Sequence, residues 1–129
     1  MPEHAKILHM PITVGVPVML AFDETEVSTT NTTATTVKYF TFLKSSILNY
    51  KLLKIHAELK VSSGTGYAQV VIDGSVLKEE PVSDTEYKLH AIEVSVANIG
   101  FGIHTFELKL YHPDGATIYN KGLEVVGII

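Results

Sequence analysis

The sequence predicts an all-β chain, an antiparallel β-sandwich of jelly-roll type with eight or nine strands. Three observations predict it. Val, Thr and Ile occur fourteen, thirteen and eleven times in 129 residues, and branching at Cβ suits a pleated, half-buried surface better than a helix. Apolar residues recur with period two through several runs, and the helical stripe Leu48, Leu52, Ile55 and Leu59 is outweighed by the strand reading of 53–63, so no amphipathic helix is expected. Turn signals separate the runs about every ten residues. The length gives one domain, 1–129, large enough to bury a core.

The elements follow in order. Ile12, Val14, Val16, Val18, Leu20 and Phe22 alternate without a break, opposite Thr13, Gly15, Pro17, Met19 and Ala21. Pro11 and Pro17 cannot donate to a ladder, so this is an edge strand or two strands joined at Gly15. Residues 28–36, STTNTTATT, read as a Thr-rich loop, or else as a strand that pairs with a partner chain. A strand follows over 36–43, and residues 45–51 are compatible with a short helical turn. Leu53, Ile55, Ala57, Leu59 and Val61 lie on one face of a strand, opposite Lys54, His56, Glu58, Lys60 and Ser62. The loop Ser63-Gly64-Thr65-Gly66 leads into a run from Tyr67 to Asp73, which is hairpin grammar. Asp73-Gly74 and Asp114-Gly115 are turn dipeptides. A polar stretch with Pro81, Lys78 to Asp84, precedes a strand from Glu86 to Val96. Ile99-Gly100-Phe101-Gly102 is a turn into a strand over 103–111, with His104, Phe106, Leu108 and Leu110 on one face. A final run extends from Ala116 to Ile129.

Composition narrows the function. Cysteine is absent, which excludes disulfides and thiolate chemistry. All ten basic residues are Lys, against 14 Asp and Glu, for a net charge of −4. An acidic chain without Arg lacks the side chain that forks onto phosphate and guanine edges, so nucleic acid is not expected as a partner. The N-terminal MPEHAKILHMPITV has no uninterrupted apolar core, so no signal peptide is expected. No apolar run is long enough to span a bilayer, so no membrane partner is expected either. The compartment stays open.

The chemistry-bearing residues are scattered. His104 and His112 share strand parity, but eight extended residues span roughly 27 Å, too far for one ion. His4 and His9 lie in the N-terminal arm, His56 on a polar face, and His90 alone in its strand. Glu79 and Glu80 point to opposite faces of an extended chain. No hydrolase elbow, zinc-protease helix or phosphate loop is present. No metal, cofactor or enzymatic activity is expected. The six tyrosines carry the binding question, and Tyr119, Asn120, His112 and Asp114 flank one turn as a candidate ligand cluster.

Three fragments resemble the galactose-binding-like jelly-roll sandwiches, the group that includes many carbohydrate-binding modules. They are Tyr67 to Gly74 (YAQVVIDG), Gly102 to Leu110 (GIHTFELKL), and Tyr119-Asn120 followed by Leu123 to Val126. The resemblance covers about residues 53–126. It implies a sandwich, and a glycan as a partner, with Asn120 where that group often places a ligand-binding Asn. It also raises structural calcium at Asp23, Glu24 and Glu26. The overall texture further resembles small β-sandwich proteins of archaeal viruses.

Strands apolar on both faces need cover on both sides. Val14, Val16, Val18, Met19, Leu20, Val126, Ile128 and Ile129 are therefore the expected interface of a homo-oligomer. The leading expectation is a non-catalytic, self-associating structural or assembly module. A glycan-binding module is the alternative, and an enzyme with a convergent site the third class.

Overall fold

A computed structural model describes residues 15–129. Among them are nine strands: β1 (Pro17–Asp23), β2 (Val27–Thr29), β3 (Thr35–Lys44), β4 (Leu52–Val61), β5 (Gly66–Ile72), β6 (Ser75–Val82), β7 (Lys88–Ser95), β8 (Gly102–Tyr111) and β9 (Ile118–Ile128). One antiparallel sheet runs β1-β9-β4-β7, with β2 also paired to β9, and the other runs β3-β8-β5-β6. The expected β-sandwich is borne out. No helix of the described residues is long and apolar enough to cross a membrane.

The core lies between the sheets. The predicted inner face of β4, Leu53 through Val61, is at most 1% exposed. Phe106, Leu108 and Leu110 of β8 join it in one cluster, again on the predicted face. Each such Leu, Ile, Val or Phe side chain contributes about 1.5–3 kcal/mol on burial.

Five local expectations are corrected. The alternation through β1 is interrupted by a register shift between Met19 and Ala21. The bulge places Val18, Leu20 and Ala21 against the core and turns Phe22 outward with Met19. The predicted hairpin around residues 63–66 joins two different sheets, because β4 pairs with β7 and β9 while β5 pairs with β6 and β8. Close approach makes this crossing compact: a Cβ on Gly66 would sit 2.9 Å from Ile118 Cδ1. The stretch Lys78 to Asp84 is strand β6 up to Val82, and Pro81 is tolerated because β6 is an edge. Residues 28–36 divide between the end of β2, a loop over 30–34, and the start of β3. Residues 45–51 form bends with no helix; Ser45 Oγ accepts the Leu48 N–H at 3.0 Å.

The Asp73-Gly74 turn is as expected. Both residues have positive φ, 51° and 83°, and they close the two-residue hairpin between β5 and β6. The Asp73 carboxylate accepts the Thr105 N–H at 2.8 Å and meets His104 Nδ1 at 2.5 Å. The backbone bond first, and His104 second, hold its carboxyl below the usual Asp value of 3.8. A lowered folded-state pKa contributes stability that is present above 3.8 and lost as pH falls through the folded value. Asp73→Asn is thus expected to lose less stability than the parent on acidification below 3.8. Parallel acid limbs in thermal melts of the two proteins would refute this.

Candidate functional site

The site is built on the outer face of the β1-β9-β4-β7 sheet. Register sets His56 beside Ala91 and Glu124, Glu58 beside Leu89, and Phe22 beside Glu124. Together with Glu24, Gly122 and Leu123 these residues line a groove of about 360 Å³. Phe22 on β1 and Leu89 on β7 form the rims, 63% and 60% exposed. Between them lie β9 and β4, so the rim backbones stand three strand spacings apart, roughly 14 Å. His56 Nδ1 is 3.4 Å from Glu124 Oε1. Gly122 is the floor: a Cβ there would collide with the Glu58 carboxylate. A register shift between Ala57 and Leu59 opens this part of the β4–β9 pairing.

The arrangement joins apolar rims to an acidic floor. Carboxylates accept hydrogen bonds only, and His56 can donate. A polyhydroxylated ring offers both hydroxyl donors and an apolar C–H face.

Further along the same sheet, Lys60 Nζ lies 4.6 Å from the Tyr87 ring centroid and 4.8 Å from that of Tyr119. Tyr87 donates its hydroxyl to Glu26 at 2.8 Å. Burial, then the bond to Glu26, raises the Tyr87 phenol well above its ordinary value.

The four residues of the sequence-derived cluster do not converge. Tyr119 lies on this face, partnered with Lys60. Asn120, its neighbour, points the other way and is fully buried. Its Nδ2 donates to the carbonyls of Glu58 and Gly122, each at 3.0 Å. His112 is also fully buried; its Nε2 donates to Ser63 O at 2.7 Å and its Nδ1 accepts the Asp114 N–H at 3.2 Å. Asp114 is exposed, beside the turn glycine Gly115. Asn120 and His112 thus satisfy backbone groups from the inside, a role that a polar residue near a turn does not advertise in sequence. Phe22 was hidden for the opposite reason, because unbroken alternation set it on one face with Val18 and Leu20, which pack against the core. The polar face Lys54, His56, Glu58 and Lys60 was the legible half of the site.

The acidic trio raised for calcium is divided among three tasks. Asp23 Oδ1 accepts the Thr25 N–H at 2.7 Å and lies 3.7 Å from Lys38 Nζ. Glu26 holds Tyr87, and Glu24 lines the groove. The Lys38 ammonium, itself buried, donates to Lys121 O at 2.7 Å and Asp23 O at 3.4 Å. A cation of the chain's own thus sits among the oxygens beside Asp23.

The expected interface residues also divide. Val14 lies outside the described residues. Val18, Leu20 and Ile129 pack against the core. Val16 is half-buried, and its carbonyl accepts the Ile129 N–H. Met19 and Val126 are cross-strand partners on the outer face, with Ile128 next to them on β9. Met19 is 56% exposed.

No protein-family profile matches the chain, and no curated protein does. Solved structures do. A CBM36 domain of a multidomain xylanase, from the hindgut metagenome of Trinervitermes trinervoides, superposes with a TM-score of 0.55 at 11% identity, over 83% of this chain and 95% of that one. A CBM4 carbohydrate-binding module gives 0.56 at 10% identity, over 88% and 79%. The insecticidal delta-endotoxin Cry8Ea1 of Bacillus thuringiensis gives 0.57 at 10% identity over 81% of this chain, which spans only 20% of the toxin's length. The likeness is one of fold: the chain is a jelly-roll β-sandwich similar in architecture to carbohydrate-binding modules.

Proposed function

We propose that the protein is a non-catalytic glycan-binding module whose ligand lies in the groove between Phe22 and Leu89. The observation that carries the reading is Phe22: the β1 bulge leaves an aromatic ring exposed on the rim of a groove floored by Glu58, Glu124 and His56. Aromatic faces stack on the C–H face of a sugar, and the floor takes its hydroxyls. The fold likeness to carbohydrate-binding modules supports the same reading. Tyr119 and Tyr87 extend the face beyond the groove.

Phe22→Ala is expected to weaken glycan binding by about tenfold or more, since burying such a ring is worth about 1.5–3 kcal/mol. Stability should change by no more than about 0.5 kcal/mol, because the ring is exposed. Screening the parent protein on a glycan array, then titrating the best ligand against both proteins, measures this. Equal affinities would remove the groove from the reading, and no glycan signal for the parent would remove the reading itself.

One observation favours an enzyme instead, the His56–Glu124 pair with Glu58 in the same groove. Acid–base groups are generally tuned by burial, and both side chains of that pair are 38% exposed. Release of reducing ends from a bound oligosaccharide would decide for the enzyme.

A further inference from the structure

We infer that the groove selects glycans carrying free amines, of the glucosamine type, over neutral and acidic ones; this rests on the glycan reading above. Three carboxylates line the groove, Glu24, Glu58 and Glu124, against a single imidazole, and no lysine lines it. Two of the nearby ammonium groups are engaged elsewhere, and that of Lys38 also feels the charge of Glu58. Lys54 pairs with Glu93 at 3.7 Å, Lys60 lies over the tyrosine rings, and Lys38 is buried beside Asp23. Glu124 already meets His56 within the groove, which leaves Glu24 and Glu58 as the carboxylates offered to a ligand.

Glu58 is placed for this by the backbone. Gly122 has no side chain to displace its carboxylate. Asn120, from inside the sandwich, ties the carbonyls of Glu58 and Gly122 together. The backbone of the floor is thus held by a fully buried amide. The same sheet face already accommodates an ammonium, that of Lys60, on its tyrosines. An amino sugar supplies what each part takes: an apolar face for Phe22 and Leu89, hydroxyls for His56, and an ammonium for the carboxylates. A uronate or sulfated sugar would bring like charge to the floor.

The test is calorimetric titration with three oligosaccharides of equal length and linkage: a glucosamine oligomer, its N-acetylated form and its glucose counterpart. The pH is chosen so that the amine is protonated and the carboxylates ionised. The glucosamine oligomer should bind at least about fivefold more tightly than the other two, the preference should shrink with added salt, and Glu24→Gln with Glu58→Gln should erase it. Glu107→Gln, which removes the same charge from the opposite sheet, should leave it intact. Equal binding of the three, or no effect of salt on the parent, overturns the charge selection while the glycan reading stands. Binding of none overturns both. An oligolysine of equal charge binding as tightly overturns the inference too, leaving a cation-attracting surface without sugar recognition.

Discussion

Replacing Lys44 with methionine is expected to cost about 2–4 kcal/mol of stability and to lower the melting temperature by about 10 °C. Lys44 ends β3 and is 1% exposed. Its ammonium donates to Val96 O at 2.6 Å, Ile99 O at 2.7 Å and Ala97 O at 3.3 Å. The three carbonyls belong to the turn between β7 and β8, so one side chain fastens a connection between the two sheets. Burial holds the ammonium below the ordinary lysine range, and the charge of Lys51 adds to this. Removing a buried charge recovers some desolvation energy, and replacing all members of a buried polar group by apolar ones can be neutral. Methionine replaces only the donor. The carbonyls remain, and the buried one, Val96 O, costs about 1–3 kcal/mol without a partner. Urea melts should show a lower midpoint at unchanged slope. An unchanged midpoint would show that the carbonyls find other donors.

Gly127→Ala is expected to destabilise by about 3 kcal/mol, at the upper end of overpacking costs. Gly127 is buried in β9, paired with Val18 on one side and Leu53 on the other. An added Cβ would lie 2.6 Å from Tyr50 Cδ1 and 2.8 Å from Cε1. Tyr50 is 1% exposed and packs edge-on against Phe42, with ring centroids 6.3 Å apart, so the ring has nowhere to retreat. Moving the backbone instead would disturb both neighbouring strands. Gly127→Ala should cost less in a Tyr50→Ala background than in the parent, because the colliding ring is gone. A double-mutant cycle without coupling would place the cost elsewhere.

The sequence made the core legible because burial in a sheet has period two. β4 and β8 each present one continuous apolar row, and both rows are buried as expected. What period two cannot carry is partnership. Residues 53–61 and 66–72 look like a hairpin along the chain, yet each is completed by strands far away in sequence. A bulge is equally silent: one residue near Leu20 inverts the faces that follow, which is why Phe22 was set on the same face as Val18 and Leu20. Polar residues misled in the other direction. Lys38, Lys44, His112 and Asn120 are polar in sequence and buried in the fold, because each satisfies backbone groups at a strand end, a turn or a bulge. The groove therefore came half from the sequence, through the polar face of β4, and half from the irregularities that moved Phe22 out and Asn120 in.

The inward lysines have a consequence for how these molecules behave when crowded. β3 closes its sheet as a ten-residue outer strand, with Tyr39, Thr41 and Leu43 on its far side. A strand of that length could template layer upon layer of identical chains, as in a fibril, where copies stack in register and their side chains mate without water. The inner row of β3 contains Lys38 and Lys44. Stacked in register, these would align ammonium above ammonium in a dry seam, away from the carbonyls that now receive them. Like charges so placed repel, and the free energy of each added layer is penalised. The two side chains that fasten the sandwich thus also make its longest open strand a poor seed for polymer growth.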